Sequence, residues 1–286
     1  MTSETATARR CHHVLDPLHA TVYFSPDLPK ELSAIGVDEP DAVYVASRAA
    51  AMGAVGPGAV AAAFYNFNPE MIARLVPSVW ATASPAAIVG ARLRAVDSTL
   101  RRLLGAEVID SPELAEAARL ALRATEACAP QARPLYAAHA ELPVPAEPHL
   151  AYWYATTLLR EHRGDGHVSA LLTLELDPLE ALVSHTATGR GMTPHWVLST
   201  RGWQQSDWDA AQARLRERGV LDAEGALTAD GIRLRSDLEL LTDRLDRAPY
   251  QHLGAAGVER LTELGRELLV KAAGAGAFPA DLIGKE

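Results

Sequence analysis

Ser206-Asp207-Trp208-Asp209-Ala210-Ala211-Gln212-Ala213-Arg214-Leu215-Arg216-Glu217-Arg218-Gly219, followed by Val220-Leu221-Asp222-Ala223-Glu224-Gly225-Ala226-Leu227-Thr228-Ala229-Asp230, is the stretch that decides the fold. Its first part reads as a helix capped by Ser206 or Asp207 and stopped by Gly219, a residue free to take the left-handed conformation that ends helices. Next come two short apolar stretches around an acidic turn at Gly225, the signal of a small β-hairpin. Thr228-Ala229-Asp230 then caps a long helix to about Arg247, with Ile232, Leu234, Leu238, Leu241 and Leu245 as its core stripe. Upstream, helices are predicted over Leu150 to Arg163, His167 to Leu176 and Pro178 to Thr188, the last behind Asp177 as N-cap, before a looser segment with Met192 and Pro194. Three short helices, a fourth helix, a hairpin and a closing helix are the order of a winged helix-turn-helix.

The predicted fold class is mainly α, a helical N-terminal domain plus a winged helix-turn-helix domain with a small β-hairpin wing. Residues 1–13 show no apolar periodicity and are expected to form a flexible lead. Residues 14–129 read as all helix, with Asn68-Pro69, Ser84-Pro85 and Ser111-Pro112 each placing a proline where a first helical turn tolerates it. Pro130, Pro134, Pro143, Pro145 and Pro148 mark 130–149 as an extended connector. The winged-helix domain is then 150–250, and 251–286 is a C-terminal helix and tail.

The chain is long enough for two domains, and no apolar run approaches the ~20 residues of a membrane span. The amino end lacks the pattern of a signal peptide, so a soluble cytoplasmic protein without membrane contact is expected. Cys11 and Cys128 match no metal or redox spacing. A net charge of −9 argues against a general polyanion-binding surface.

The densest chemistry lies in Leu159-Arg160-Glu161-His162-Arg163-Gly164-Asp165-Gly166-His167, where six of nine side chains are ionisable. A helix junction accounts for part of it: Gly164 would end one helix and Asp165 would cap the next. It leaves Glu161, two arginines and two histidines unexplained. Glu161 shares a face with Tyr154 and Leu158 and should point inward, toward Arg163 or His167. The candidate catalytic set is therefore Glu161, Arg163, Asp165 and His167, with a carboxylate-held histidine suited to proton transfer near neutral pH. The competing account is a structural ion-pair network. His139, His149, Trp153 and His162 are the candidate ligand-binding residues around it. Six of ten histidines fall between His139 and His195, yet no His-x-x-x-His pair occurs, so neither a metal nor a cofactor is expected.

This block, together with Thr200-Arg201-Gly202-Trp203, Trp208, Leu215-Arg216-Glu217-Arg218-Gly219, Leu227-Thr228-Ala229-Asp230-Gly231 and Thr242-Asp243, resembles a SalK-like helix-turn-helix family of actinobacteria, distantly similar to MarR-type regulators. Ser47-Arg48-Ala49-Ala50, Phe64-Tyr65-Asn66-Phe67 and Ser84-Pro85 extend the resemblance over most of the chain. It implies fold and lineage and assigns no catalytic residue.

A winged helix is commonly used to bind DNA, and here Arg201, Arg214, Arg216 and Arg218 would be the contacts. Asp207 and Asp209 open the helix that would enter the groove, and the wing tip bears Asp222 and Glu224. From Trp196 to Tyr250 eight arginines stand against ten acids, a net charge of −2 that disfavours phosphate binding. The leading expectation is a small-molecule-binding protein, with enzyme activity in specialised metabolism left open and a homodimer compatible with it. A ligand-responsive DNA-binding regulator is the first alternative, and a non-catalytic structural partner is the second.

Overall fold

Among the described residues nine helices begin on a proline, at a position whose N–H has no intrahelical acceptor to lose. The computed structural model describes residues 3–283, with side chains from Ala6 onward. In chain order the helices are α1 (Ser3–Ala20), α2 (Asp27–Ser33), α3 (Pro40–Ala49), α4 (Pro57–Phe64), α5 (Pro69–Thr82), α6 (Pro85–Ile109) and α7 (Pro112–Thr125). They continue with α8 (Pro134–Ala140), α9 (Pro148–Thr173), α10 (Pro178–Thr186), α11 (Pro194–Thr200), α12 (Gln205–Glu217), α13 (Ala229–Leu245) and α14 (Arg247–Gly274).

Two compact units interleave along the sequence. One holds residues up to Val55, Ser78–Gly166 and Asp243–Phe278; the other holds Gly56–Pro77, His167–Thr242 and the described residues from Pro279. This differs from a single boundary at 130–149. Pro134 and Pro148, expected in an extended connector, are the first residues of α8 and α9. The expected flexible lead is also corrected, because most of it lies in α1. That helix packs along α14 and buries Cys11, Leu15, Leu18 and His19 despite its internal Pro17. At Gly265 of α14 the approach is close: a Cβ there would stand 3.1 Å from Leu15 and 3.3 Å from the Tyr152 hydroxyl.

The second unit has its own core of Leu171, Leu179, Val183, Val197, Trp208, Ala211, Leu215 and Leu238. Helices α11 and α12 form a helix-turn-helix whose turn uses Gly202 at φ 75°. The turn is held by residues from far upstream: Asn68 Nδ2 donates to Gly202 O (3.0 Å), and Trp203 Nε1 donates to Asn66 O (2.9 Å). The start of α12 departs from expectation. Gln204 is its N-cap, and Asp207 completes a capping box by accepting from the Gln204 N–H at 2.8 Å.

No strand forms among the described residues. The hairpin signal yields one antiparallel bridge, Leu221 with Leu227, closed by Asp222 N–H to Ala226 O at 2.9 Å. The stripe expected for α13 also shifts: Leu238 is buried, whereas Ile232 and Leu245 are exposed and Arg235, Thr242 and Asp243 turn inward. The reason lies at Gly231, where a Cβ would stand 2.2 Å from the Val220 carbonyl oxygen. Close approach there fixes the helix's rotation. Gly231→Ala is expected to destabilise by roughly 2 kcal/mol or more in urea denaturation followed by circular dichroism. Gly58→Ala, in the first turn of α4 where a Cβ meets nothing within 4 Å, should be neutral or stabilising by up to about 1 kcal/mol.

Candidate functional site

The ionisable block lies inside one continuous helix. α9 runs unbroken through Gly164 and Gly166, so the expected junction between two helices does not exist. Gly166 serves packing. A Cβ on Gly166 would stand 2.7 Å from Nη1 of Arg133 and 3.3 Å from Leu245. Arg133 fills that space and donates to the carbonyls of His162 and Leu245. Asp165 does cap a helix, but the helix is α8: its carboxylate accepts the Tyr136 N–H at 2.9 Å, where Arg133 as N-cap offers no side-chain acceptor.

Successive positions of α9 point to different partners. Glu161 is 1% exposed and does point inward. It meets Arg48 of α3, accepting from Nη2 at 2.7 Å and Nε at 3.2 Å, and accepts from Arg160 Nη1 at 2.8 Å. Burial alone would push its carboxyl up; Arg48 and Arg160 outweigh burial and hold it well below the usual range. A carboxylate so held stays ionised near neutral pH and anchors charge; it does not shuttle protons. Arg160 also pairs with Asp16 at 2.9 Å, and here the cluster reaches solvent.

Beside this ion-pair group lies Arg92 of α6. Its Nη1 donates to His139 Nε2 (3.0 Å), its Nη2 donates to the Tyr23 hydroxyl (2.7 Å), and its guanidinium carbon lies 4.7 Å from the ring centre of Trp153. The His139 Nδ1–H donates to Leu135 O (2.8 Å), which leaves Nε2 unprotonated to accept from Arg92 in a neutral ring, and burial followed by Arg92 lowers its pKa to about 4. His19 stacks on Trp153 with centroids 5.0 Å apart. Burial, then Arg160 and Arg92, hold His19 well below the ordinary histidine value, so it too is neutral.

Of the eight residues singled out for this site, Glu161, His139 and Trp153 therefore gather in one neighbourhood. Asp165, one helical turn on, lies within electrostatic reach of Glu161 but serves α8, and the remaining four have other partners. His162 Nδ1–H donates to Asp246 (2.8 Å), and Arg163 pairs with Asp243 (2.9 Å), which also accepts from Arg9 Nε (2.9 Å). His149 pairs with Asp97 at 2.6 Å. His167, in the second unit, meets the Thr242 hydroxyl at 2.9 Å.

The arginines of α12 are committed within the protein. Arg214 pairs with Asp177 (2.6 Å) and Glu180 (3.2 Å), Arg218 pairs with Glu180 (2.6 Å) and donates to Glu175 O, and Arg216 donates to Asp222 O across the turn. Arg201 lies over the Phe67 ring at 4.4 Å. A groove of about 290 Å³ beside α12 is lined by Asp177, Trp203, Asp207 and Arg214, whose carboxylates are already used as caps. Among the described residues no group of three or more His, Cys, Asp or Glu side chains is placed to hold a metal ion, and no single helix is long and apolar enough to cross a membrane.

His19, Tyr23, Arg48, Arg92 and Arg160 lie outside the candidate set that the sequence suggests. One signal was available. Arg92 stands between Ile88 and Val96 at four-residue spacing, a charge on the apolar stripe of α6, and Arg48 likewise follows Val45 by three.

The helix-turn-helix geometry of the second unit agrees with comparison to known proteins. Residues 8–279 match the profile of a helix-turn-helix family, and the chain belongs to that family. No curated protein and no solved structure matches it.

Asp165 offers a pH test. Burial raises its pKa to about 6, with Tyr136 N–H opposing and Glu161 adding to the rise. A carboxyl whose folded pKa lies above its unfolded value gives stability that is full below the unfolded pKa, near 4, and lost as pH rises through 6. Asp165→Asn keeps the acceptor for Tyr136 without the charge. It should raise stability by about 1–3 kcal/mol at pH 7.5, and the gain should vanish near pH 4, as read by thermal melts across pH.

Proposed function

We propose that this chain is a small-molecule-binding member of the helix-turn-helix family, of the SalK-like and distantly MarR-like kind, acting in the cytoplasm. The ligand site lies in the first unit at His19, Arg92 and Trp153, with Glu161 and His139 behind it. The observation that carries this reading is His19, buried to 1% exposure with neither ring nitrogen hydrogen-bonded. Buried polar groups are satisfied in nearly all native structures, and an exception points to strain, a bound molecule or chemistry. The surrounding ions support the same conclusion. Apolar side chains of similar volume would stabilise as well as or better than Arg48, Glu161 and Arg160, so stability alone does not account for them.

Arg163, His162, Asp165 and His149 take structural roles in this reading, as ion-pair and capping residues. Thermal melts of the full chain against a library spanning organic acids, amines, neutral aromatics and sugars test it. At least one class should raise Tm by several degrees at saturating ligand, and the His19→Leu/Arg92→Met variant should lose that rise. A library that shifts nothing, or shifts both proteins equally, refutes a site at this place.

Family membership favours a second reading, a ligand-responsive regulator that binds DNA through α12. Arg214 and Arg218 are then poor choices of contact, because each neutralises a carboxylate of α10 or its cap. With the arginines of α12 and its C-cap engaged within the protein, duplex DNA from the protein's own upstream region should not be retarded at physiological salt. Retardation that Arg216→Ala abolishes, in a variant of unchanged Tm, would establish the regulator instead.

A further inference from the structure

Arg92 differs from the other two arginines of the first unit's cluster. Arg48 and Arg160 meet carboxylates, whereas Arg92, 3% exposed, meets only the neutral His139 ring and the Tyr23 hydroxyl. Its Nε–H has no hydrogen-bond partner, and among the described residues it forms no ion pair. A buried cation without an anion is costly, and an acceptor brought to Nε would relieve that cost.

The unsatisfied His19 shares its surroundings. His19 and Arg92 both lie against Trp153, the first stacked at an interplanar angle of 16° and the second over the ring. Both also meet Tyr23, His19 edge-on at 5.8 Å and Arg92 through the hydroxyl. A neutral imidazole offers one N–H donor and one acceptor. The unsatisfied donors are thus one guanidinium N–H and one ring N–H beside two aromatic surfaces. That count suits the two oxygens of a carboxylate better than the denser acceptor set of a phosphate. The rings suit a flat apolar body.

Resting on the small-molecule reading above, we infer that the ligand is a small organic monoacid with a planar apolar body. Its carboxylate accepts from Arg92 Nε and a His19 ring nitrogen, and its flat part lies against Trp153 and Tyr23.

Calorimetric titration of the full chain with 2-naphthoate, its amide 2-naphthamide, acetate and inorganic phosphate tests this. The naphthoate should bind at least about tenfold more tightly than the isosteric amide, with no detectable heat from acetate or phosphate. Arg92→Met should reduce naphthoate to the level of the amide while leaving amide affinity unchanged, an asymmetry that general damage to the fold does not produce. His19→Phe keeps an aromatic ring and removes the donor; it should weaken naphthoate about threefold to tenfold, and it bears the test if Arg92→Met does not fold. Equal binding of acid and amide overturns the inference while leaving a small-molecule site in place. So do equal losses of both in Arg92→Met, binding of acetate or phosphate as tight as naphthoate, or no binding of naphthoate at all. The small-molecule reading itself is decided separately, by the library melts.

Discussion

Glu161 brings a negative charge to a position where 1% of its surface meets solvent, and the first unit is arranged to answer it. Arg48 comes from α3, Arg160 from the preceding position of α9, and Asp16 of α1 takes up the second valence of Arg160. Three helices are thereby tied through one carboxylate. Burial and charge pull its ionisation in opposite directions, and the two guanidinium groups win. Removing one partner of such a group leaves an uncompensated buried ion, which is far more damaging than never having placed the group there.

The same helix face explains why Arg92 stands out. Glu161, Arg48, Arg160 and Asp16 answer one another, and the histidines that accompany them are neutral. Arg92 has been given aromatic surface and neutral acceptors, an environment that binds a cation less strongly than a carboxylate does. In the second unit the opposite holds: every arginine of α12 has an acceptor within the protein, and the acidic turn caps itself through Asp222 and the Ala226 N–H. The arginines of α12 are thus satisfied within the protein, whereas the Nε–H of Arg92 is not.

Much of the fold was legible in the sequence, and the losses have physical causes. Asp177 as a cap, Thr228 opening α13 and the helical N-terminal half follow from local rules that act over three or four residues. A proline cluster such as that at 130–149 looks extended in sequence, although Pro134 and Pro148 stand where helices begin. Glycine signals a chain turn when only neighbours in sequence are known, hence the break expected at Gly164; at Gly166 it marks a neighbour in space, Arg133. Glu161 was legible as an inward carboxylate from its spacing to Leu158. Its partners were not, since Arg48 lies more than a hundred residues away. Nor was the path of the chain, which leaves one unit and returns to it twice.

Glu161 and Gly166 have a joint consequence for the length of α9. Each residue of an α-helix turns the chain by about 100°, so the five steps between them fix one direction relative to the other. Glu161 must meet Arg48, and the bare backbone at Gly166 must meet Arg133 and Leu245. Inserting or deleting one residue between these points would swing either the carboxylate away from its cations or a side chain into the space Arg133 fills. Point changes elsewhere on this helix are a matter of degree; its residue count between 161 and 166 is a matter of phase.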